Sequence, residues 1–354
     1  MTNILYGVHG IGHGHTIRAL TIANAFPQHN FLFISDQNGY NLLRPERNVL
    51  KVPSNGSPAL NHTMPYCAAI STYFNNRLHI RLNREEILKT ISSFQPDLAI
   101  TDFESNIPWI SRLTGLTCLS LDHQHIALLK YPFLSLKKSL GLFMLRIAIW
   151  VQFHEIQNRM IISFFNTACK TGEQSKVYPP LLRQKVLDRI SSSGDHVLAY
   201  HGYPTTNEFH QFLLSLPCPV ICYGTNVNRV ERNVTYKKNS SDSFLDDIAS
   251  CRFVVSTAGH TLLSEALYFG KPIMAFPIRY AYEQFLNAYF IERNGYGVMN
   301  SAFAPSAEKL HQFEKNIDHY RENIQAVSFC GNTSILSALD SFFTTKKYTP
   351  WSSG

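Results

Sequence analysis

The chain has 354 residues, more than one hydrophobic core usually fills, so its length predicts two domains. Hydrophobic residues make up 45% and charged residues 16% of the sequence, which is typical of globular proteins and excludes an intrinsically disordered chain. The formal net charge of +7 favours an anionic partner, and a nucleotide phosphate, an acidic membrane surface or a nucleic acid would each satisfy it.

The seven cysteines indicate reduced, buried thiols in a cytoplasmic protein, because their number is odd and several stand inside apolar runs. Cys218 and Cys222 are the closest pair, and no second pair stands nearby, so the spacing does not predict a zinc site. We expect no signal peptide, because residues 3–8 predict a short strand. We expect no spanning helix, because no apolar run reaches about 18 residues.

Strand and helix patterns alternate through the first half of the chain. An apolar run over 3–8 is followed by a helical pattern over 16–26, which ends at Pro27. A long helical pattern covers 131–158. Further strands are predicted at 31–36, 97–102, 117–122 and 161–165, and their nearly continuous apolar character is typical of a parallel sheet covered on both faces.

The same alternation resumes after Pro180, with strands predicted at 196–200, 219–223, 253–256 and 273–276. Helical patterns at 206–216, 243–250, 262–269 and 284–294 fall between and after them. The sequence therefore predicts an α/β fold with two doubly wound, Rossmann-like domains. Ligands bind at the carboxyl ends of the strands in such sheets, so we expect the domains to face each other across a cleft that holds the site.

We expect a first domain over 1–175 and a second over 176–325. A C-terminal segment over 326–354 follows, whose helix, near 333–343, packs back toward the first domain and whose tail frays.

A turn rich in glycine and histidine follows the first strand. Its glycines, Gly10, Gly12 and Gly14, let the backbone turn sharply and approach a ligand closely. One interpretation is a dinucleotide-binding loop, because Asp36 ends the next strand where a ribose-binding acid would stand. That motif is incomplete, however, because His15 takes the position of its third glycine.

His15 is a candidate general base, with Asp102 as its partner. A helix amino terminus disfavours imidazolium, so a histidine at the start of the first helix tends to stay neutral, as a base must. Asp102 ends a later strand of the same sheet, where its carboxylate could fix the tautomer of the ring and stabilise the cation formed on proton transfer. The alternative is that both residues only cap helices. For Arg18, a structural role is favoured over a contact with phosphate.

Polar residues also follow another strand end at this edge of the sheet. Their side chains suggest contacts with an acceptor substrate, and a metal site is the weaker alternative. We assign to the acceptor side the residues Gly12, His13, Gly14, Asp122, His123 and Gln124.

The run from Phe253 to Thr261 predicts a strand, a turn of small residues and a helix. Free backbone N–H groups and the helix dipole make such an amino terminus a site for a diphosphate, to which Ser256 and Thr261 add hydroxyl groups. Glu265 lies outside the apolar face of the helix, so it is a candidate to accept both ribose hydroxyls. The alternative is a solvated helix glutamate.

Glu283 and Gln284 begin a later helix beside the same edge. An acid next to an amide suits a hexose, whose hydroxyls need both acceptors and donors. The alternative for Glu283 is a helix N-cap.

These motifs resemble the donor-site block of GT-B glycosyltransferases, the group that includes the UDP-glycosyltransferases and the MurG-like peptidoglycan-precursor transferases. The similar motifs are the run from Ser256 to Ala266, Gly270-Lys271-Pro272, and Glu283-Gln284 with Asn287-Ala288. The opening Gly12-His13-Gly14-His15-x-x-Arg18 and the segment Thr101-Asp102-Phe103-Glu104 are similar to motifs of a little-studied bacterial and archaeal branch. The resemblance covers most of the chain but little of 130–193.

The resemblance implies an inverting, metal-independent transferase without a cofactor. It would move a hexose from a nucleotide sugar, most simply a UDP-sugar, to a hydroxyl acceptor that is lipid-linked or a cell-envelope glycan precursor. His15 would be the base and Asp102 its partner, as at the matching places in plant-type members. The donor contacts implied are Ser256, Gly259, His260 and Thr261 to the diphosphate, Glu265 to the ribose, and Glu283 and Gln284 to the hexose. The loop before Glu283 is one residue shorter than in the peptidoglycan enzymes, which leaves the sugar open.

The stretch from Leu134 to Phe153 is dense in apolar residues and also carries Lys137, Lys138 and Arg146. Such a helix either rests on an anionic leaflet, where it would meet a lipid-linked acceptor, or is buried against the sheet. The first alternative predicts a protein peripheral to the inner face of the cytoplasmic membrane.

Two other functions are compatible with the same fold. A sugar-nucleotide epimerase would lack an acceptor site, and a non-catalytic sugar-nucleotide-binding subunit would not need His15. We expect no nucleic-acid partner, because lysines and arginines are scattered rather than gathered in one stripe with aromatic residues.

Overall fold

The computed structural model describes residues 1–52, 84–131, 134–166, 175–201, 207–225, 227–238, 241–300 and 305–349. These residues divide into two compact units. The first contains the chain up to Leu181 together with the C-terminal segment from Gly331, and the second contains Leu182–Cys330. The domain boundaries predicted from the sequence, 175/176 and 325/326, each lie a few residues before the boundaries between these units.

The first unit contains a parallel sheet that, in its described part, has the strand order β3-β2-β1-β4-β5-β6-β7. The order reverses between β1 and β4, which pair with Val8 opposite Asp102. Ligands in doubly wound sheets bind at such a reversal. The strands are β1 (Asn3–Val8), β2 (Asn30–Ser35), β3 (Val49–Lys51), β4 (Leu98–Asp102), β5 (Cys118–Asp122), β6 (Arg159–Ile162) and β7 (Ser175–Tyr178).

Helices cover both faces of this sheet, as its apolar strands predict. Residues alternate along β1, so that Tyr6 packs with Ile22 in one core cluster while Leu5 packs with Ile107 in another. The helices are α1 (Gly14–Ala25), α2 (Gln37–Leu43), α3 (Arg84–Phe94), α4 (Asn106–Thr114) and α5 (Leu136–Phe153), with a 3-10 helix at Gln124–Leu128.

The C-terminal helix, Asn332–Thr345, completes the core of the first unit. Phe342 and Phe343 join the cluster that contains Tyr6 and Ile22, and the ring of Phe343 lies 4.9 Å from that of Phe26. The last helix of the chain therefore belongs to the first unit, although the second unit lies between them in sequence.

The second unit repeats this topology. Its described strands have the order β10-β11-β9-β8-β12-β13-β14, and all pair in parallel except β10, which is antiparallel to β11. The order reverses between β8 and β12. The strands are β8 (Val197–Tyr200), β9 (Val220–Tyr223), β10 (Arg229–Glu231), β11 (Val234–Tyr236), β12 (Phe253–Ser256), β13 (Ile273–Ala275) and β14 (Gly297–Met299).

The helices of the second unit are α6 (Gln184–Leu187), α7 (Asn207–Ser215), α8 (Ser241–Ser250), α9 (His260–Tyr268), α10 (Tyr282–Arg293), α11 (Ala307–Lys315) and α12 (Ile317–Gln325), so the C-terminal helix is α13. Two doubly wound α/β units are thus confirmed. The helix predicted over 131–158 is shorter than expected, because α5 covers only Leu136–Phe153. No described helix is long and apolar enough to cross a bilayer.

Candidate active site

The glycine turn after β1 is packed against the end of β2. A methyl group on Gly10 would lie 1.5 Å from the Oδ1 atom of Asp36, so only glycine fits there. The backbone of Gly12 is left-handed, with φ +83°, and α1 begins two residues later. This local geometry delivers His15 to the first turn of a helix at the reversal point of the sheet.

His15 and Asp102, predicted to act together, are in direct contact. The Nδ1 atom of His15 lies 2.7 Å from the Oδ1 atom of Asp102, and the exposed fractions of the two residues are 8% and 0%. A carboxylate oxygen at this distance requires a proton on Nδ1, so His15 donates to Asp102 and its Nε2 atom keeps a lone pair. This is the tautomer that a general base needs.

Arg18 joins this pair, in a role that the sequence indicated only as structural. Its Nε atom donates to Oδ2 of Asp102 over 2.7 Å, and its Nη2 atom donates to Oδ1 over 2.6 Å. Burial opposes ionisation of this guanidinium, but the charge of Asp102 and their hydrogen bond hold the Arg18 pKa above its usual value. Asp102 is therefore shared between a permanent cation and the ring of His15.

Gln124 approaches the opposite side of the His15 ring. Its Nε2 atom lies 3.1 Å from Nε2 of His15, so the amide donates to the lone pair that would accept a substrate proton. Of the residues assigned to the acceptor side, Gln124 is thus the one with a side-chain contact to the candidate base in the described structure. An acceptor hydroxyl would have to replace this amide on His15.

His9 and Phe103 form an aromatic wall beside His15. The His9 ring centroid lies 5.1 Å from that of His15 and 5.9 Å from that of Phe103. Burial and the neighbouring His15 lower the pKa of His9 to about 3, which keeps His9 neutral at physiological pH. Phe103 has a left-handed backbone, with φ 55°, held by hydrogen bonds in both directions between Thr101 and Glu104. Such conformations cost free energy and are concentrated at functional sites.

The two remaining strand-end residues of the acceptor prediction have partners inside the protein. Asp122 accepts hydrogen bonds from Ser120 and His125, and His123 contacts the carbonyl of Ile162 through Nδ1 at 2.7 Å. Burial would raise the Asp122 pKa, but His125 and Ser120 hold it well below its usual range. Contacts of Asp122 or His123 with an acceptor stay a prediction. No group of three metal-ligating side chains occurs among the described residues.

The turn after β12 is built differently, because it presents backbone rather than charge. Ala258 has a left-handed backbone, with φ 66°, and its carbonyl accepts a hydrogen bond from the buried amide of Asn287 over 3.0 Å. Gly259 is the N-cap of α9 and makes no side-chain cap, and a methyl group on it would meet no described heavy atom within 4 Å. The amino end of α9 therefore has open space beside it, as a diphosphate site requires.

Other predicted donor residues lie near this turn. The Oγ atom of Ser256 accepts from the N–H of Ala258 over 3.4 Å, which closes the turn. His260 begins α9 and is buried, and its carbonyl accepts from Ser264, while Thr261 follows at the second helical position and is half-buried.

Glu265 is not a solvated glutamate, because it is buried and paired with Arg183. The Arg183 guanidinium donates from Nε over 2.8 Å and from Nη2 over 3.1 Å, one bond to each carboxylate oxygen. Burial raises the Glu265 pKa, and the charge of Arg183 opposes that shift. Nothing in the sequence pattern pointed to Arg183, which lies 82 residues away in sequence.

Glu283 and Gln284 occupy the first turn of α10, and both are half-buried. The Oε1 atom of Gln284 accepts from the N–H of Ile278 over 3.1 Å, so this amide braces the loop between β13 and α10. Its NH2 group has no hydrogen-bond partner among the described residues and could donate to a ligand.

Solved structures with similar folds are glycosyltransferases. A UDP-glucose:anthocyanidin 3-O-glucosyltransferase in complex with UDP aligns with a TM-score of 0.69 and 12% identity, over 97% of this chain and 99% of that one. UGT2 of Phytolacca americana, complexed with UDP-2fluoro-glucose and pterostilbene, aligns with a TM-score of 0.68 and 13% identity, over 96% and 99%. CalG4, the calicheamicin glycosyltransferase, aligns with a TM-score of 0.65 and 14% identity, over 98% of this chain and 99% of that one. These likenesses show the fold, which is GT-B.

Curated relatives match a shorter stretch of sequence. An uncharacterized glycosyltransferase of Methanosarcina mazei is 40% identical over 98 residues, which cover 27% of this chain and 26% of the relative. One from Methanosarcina acetivorans is 35% identical over 89 residues, or 23% of this chain and 24% of the relative. The chain thus spans about a quarter of the curated relatives it matches.

The family model described as glycosyl transferase family 1 matches residues 2–318, which is most of the chain. The motifs that resemble GT-B glycosyltransferases lie inside this range, and those that contain Asp102 and Ser256 end strands at the reversals of the two sheets. The chain belongs to glycosyl transferase family 1.

Proposed function

We propose that the protein is an inverting, metal-independent hexosyltransferase that uses a nucleotide sugar, most simply a UDP-sugar, and a hydroxyl acceptor. The observation that carries the proposal is the 2.7 Å contact between His15 Nδ1 and Asp102 at the reversal point of the first sheet. It orients the imidazole with Nδ1 on the carboxylate and Nε2 on the side of Gln124, where an acceptor hydroxyl would replace the amide. This is the arrangement of an oriented general base.

The chemical step follows from this arrangement. Nε2 of His15 takes the proton of the acceptor hydroxyl while the hydroxyl oxygen forms a bond to the anomeric carbon. The bond between that carbon and the diphosphate oxygen breaks, and its electron pair leaves with the nucleotide diphosphate. Attack opposite the leaving group inverts the anomeric configuration. Asp102 stabilises the imidazolium that results, since its carboxylate already accepts from Nδ1.

Arg18 tunes this base as well as supporting it. Its two hydrogen bonds fix the Asp102 carboxylate in position, so the His15 ring cannot rotate without breaking a buried network. The same guanidinium neutralises part of the Asp102 charge and so weakens the stabilisation of an imidazolium. We infer that the acceptor hydroxyl is activated mainly by orientation rather than by an unusually strong base.

The donor would bind the second unit through backbone groups and one carboxylate. The open amino end of α9, from Gly259 to Thr261, would take the diphosphate, with Ser256 and His260 beside it. Glu265 would accept the ribose hydroxyls. A carboxylate offers about four lone-pair sites, so the two bonds from Arg183 leave acceptor capacity for the ribose.

The hexose would contact Glu283 and Gln284. The NH2 group of Gln284, unpaired within the described part of the chain, supplies a donor, and the Glu283 carboxylate supplies acceptors. Together they match the hydroxyls of a sugar.

For the acceptor we propose a lipid-linked hydroxyl compound or a cell-envelope glycan precursor, met at the inner face of the cytoplasmic membrane. The support is the aromatic wall of His9 and Phe103 beside His15, which favours an acceptor with an apolar part near its hydroxyl.

Calorimetric titration of the full chain with UDP, TDP, GDP and NAD, without added metal, tests the donor assignment. We expect saturable binding of UDP or TDP that weakens in Glu265→Ala and is unchanged in His15→Ala. Binding of NAD alone would replace the proposal with a dinucleotide-dependent enzyme.

A second measurement tests the reaction class. Purified protein is incubated with UDP-hexoses and a panel of soluble and lipid-linked hydroxyl acceptors, and products are followed by NMR at the anomeric proton. Transfer with inverted configuration is expected. An isomerised sugar nucleotide formed without any acceptor would indicate an epimerase instead.

A further inference from the structure

Helix α5 exposes a continuous stripe of large apolar side chains. Leu136 and Trp150, near its two ends, are 89% and 63% exposed. The residues between them recur every three or four positions, so they share one face of the helix. We call this set the apolar stripe; it comprises Leu136, Leu140, Phe143, Met144, Ile147 and Trp150. Elsewhere, the exposed large apolar residues of the described chain are scattered, as is normal for a soluble surface.

The opposite face of α5 fixes the helix firmly to the first unit. Leu142, Ile149 and Phe153 are fully buried. The guanidinium of Arg146 donates from Nε to the carbonyl of Ala127 over 2.8 Å and from Nη2 to the carbonyl of Leu129. The stripe is therefore not a helix face that could turn inward to be buried, because the inward face is already occupied.

The sequence of α5 and of the segment before it is basic. Residues 123–154 carry Lys130, Lys137, Lys138 and Arg146 and no aspartate or glutamate, and Glu155, which follows, pairs with Arg112. Lys130 and Lys138 are exposed, and Trp150 lies toward the other end of the helix. An apolar face bordered by cations, with a tryptophan at its edge, matches the boundary between anionic headgroups and acyl chains.

A chain of packed aromatic side chains links the helix that carries the stripe to the candidate base. Phe153, at the end of α5, stacks on Phe103 with ring centroids 4.9 Å apart, and Phe103 contacts His9 beside His15. Arg146 also holds the 3-10 helix that carries Gln124. A surface under the stripe would thus lie next to the elements that form the acceptor side of the first unit.

We propose that the apolar stripe docks the protein in the plane of an anionic phospholipid bilayer, so that α5 lies on the membrane rather than across it. The inference deepens the proposed function, on which it rests only for the acceptor: a docked first unit would receive a lipid-linked hydroxyl whose chain stays in the bilayer. Docking itself needs neither donor nor turnover.

The test is co-sedimentation of the full chain with vesicles of phosphatidylcholine mixed with phosphatidylglycerol, and with vesicles of phosphatidylcholine alone. We expect partition into the anionic vesicles. The triple variant Leu140→Gln, Phe143→Gln and Ile147→Gln should partition about tenfold less or worse, because three side chains no longer enter the interface. Lys138→Glu should reduce binding to the anionic vesicles and leave binding to vesicles of phosphatidylcholine unchanged.

The matched control is Ile190→Gln with Val230→Gln, which removes two exposed apolar side chains from the second unit. It should sediment like the wild type. All variants should melt at the wild-type temperature and bind UDP equally, since none of the substituted side chains is buried. If the wild type does not bind UDP but still sediments with the anionic vesicles, the proposed donor site is refuted and the docking proposal stands.

Three results would overturn the proposal. The wild type could remain in the supernatant with both kinds of vesicle, or the triple variant could sediment as well as the wild type. Light scattering could also give a dimer for the wild type and a monomer for the triple variant without vesicles, in which case a second copy of the chain covers the stripe.

Discussion

The two units share one topology but place different groups at the same point of it. In each, the first strand and the fourth parallel strand meet at the reversal of the sheet, and a glycine-containing turn leads into a helix there. In the first unit that place holds three charged or titratable side chains in contact: His15, Arg18 and Asp102. In the second unit it holds backbone groups, with Asn287 bracing the turn from behind. The fold supplies the location, and the local sequence decides whether titratable side chains or backbone groups occupy it.

The largest expected effect is the loss of transfer activity when His15, at the turn after β1, is replaced. His15→Ala should lower the transfer rate by about 10²–10⁴-fold, the range for a general base, while UDP affinity stays that of the wild type. Transfer is measured as product formed per unit time, and UDP binding by calorimetry. His319→Ala, an exposed histidine of the second unit, is the control. If His15→Ala transfers sugar at the wild-type rate, His15 is not the general base and the turn after β1 has no catalytic role.

Arg18→Met should destabilise the fold more than it changes UDP binding. It leaves Asp102 buried without its permanent counter-charge, and breaking a buried pair in this way costs about 3–5 kcal/mol. Urea unfolding measures the free-energy difference.

The matched control for Arg18→Met is Arg112→Met, which breaks the exposed pair with Glu155 and should cost at most about 1 kcal/mol. Equal losses in the two variants would mean that Arg18 contributes no more than a surface cation.

Glu265→Ala should weaken UDP binding by about 1–3 kcal/mol, the scale of a lost hydrogen bond to a charged group. The ribose assignment is sharpened with 2′-deoxy-UDP. The wild type should bind this nucleotide less tightly than UDP, whereas Glu265→Ala should no longer distinguish the two. An unchanged preference for UDP would assign Glu265 to holding Arg183 alone. Glu322→Ala, an exposed carboxylate, controls for net charge.

The smallest effect is expected for Gln284→Ala. Loss of its bond from the N–H of Ile278 should reduce the free energy of unfolding by about 0.5–1.5 kcal/mol. Affinity for a UDP-hexose should fall while affinity for UDP stays constant, because only the hexose would meet this amide. Equal changes for both ligands would restrict Gln284 to bracing the loop.

Much of the fold was readable because long apolar runs and helical periodicity are local signals. β1, β12 and β13 lie within a residue of their predicted ends, and the predicted C-terminal helix over 333–343 is α13. The strands that went unpredicted, β3, β7, β10, β11 and β14, have three or four residues each. Such short strands show too few alternations to be distinguished from loops, and their pairing comes from neighbours distant in sequence.

The sequence by itself determined the class of the chain: two alternating α/β patterns, a glycine–histidine turn after the first strand and a small-residue turn after the strand at 253–256. These are local properties of residue type and spacing. Only the tertiary structure decided the partners. Asp102 is bound by Arg18 as well as by His15, Glu265 by Arg183, and the lone pair of His15 by Gln124. Of these contacts, the sequence motifs predicted only the one between His15 and Asp102. The other three join residues 82 or more positions apart in the chain, and no local pattern states which such side chains will meet.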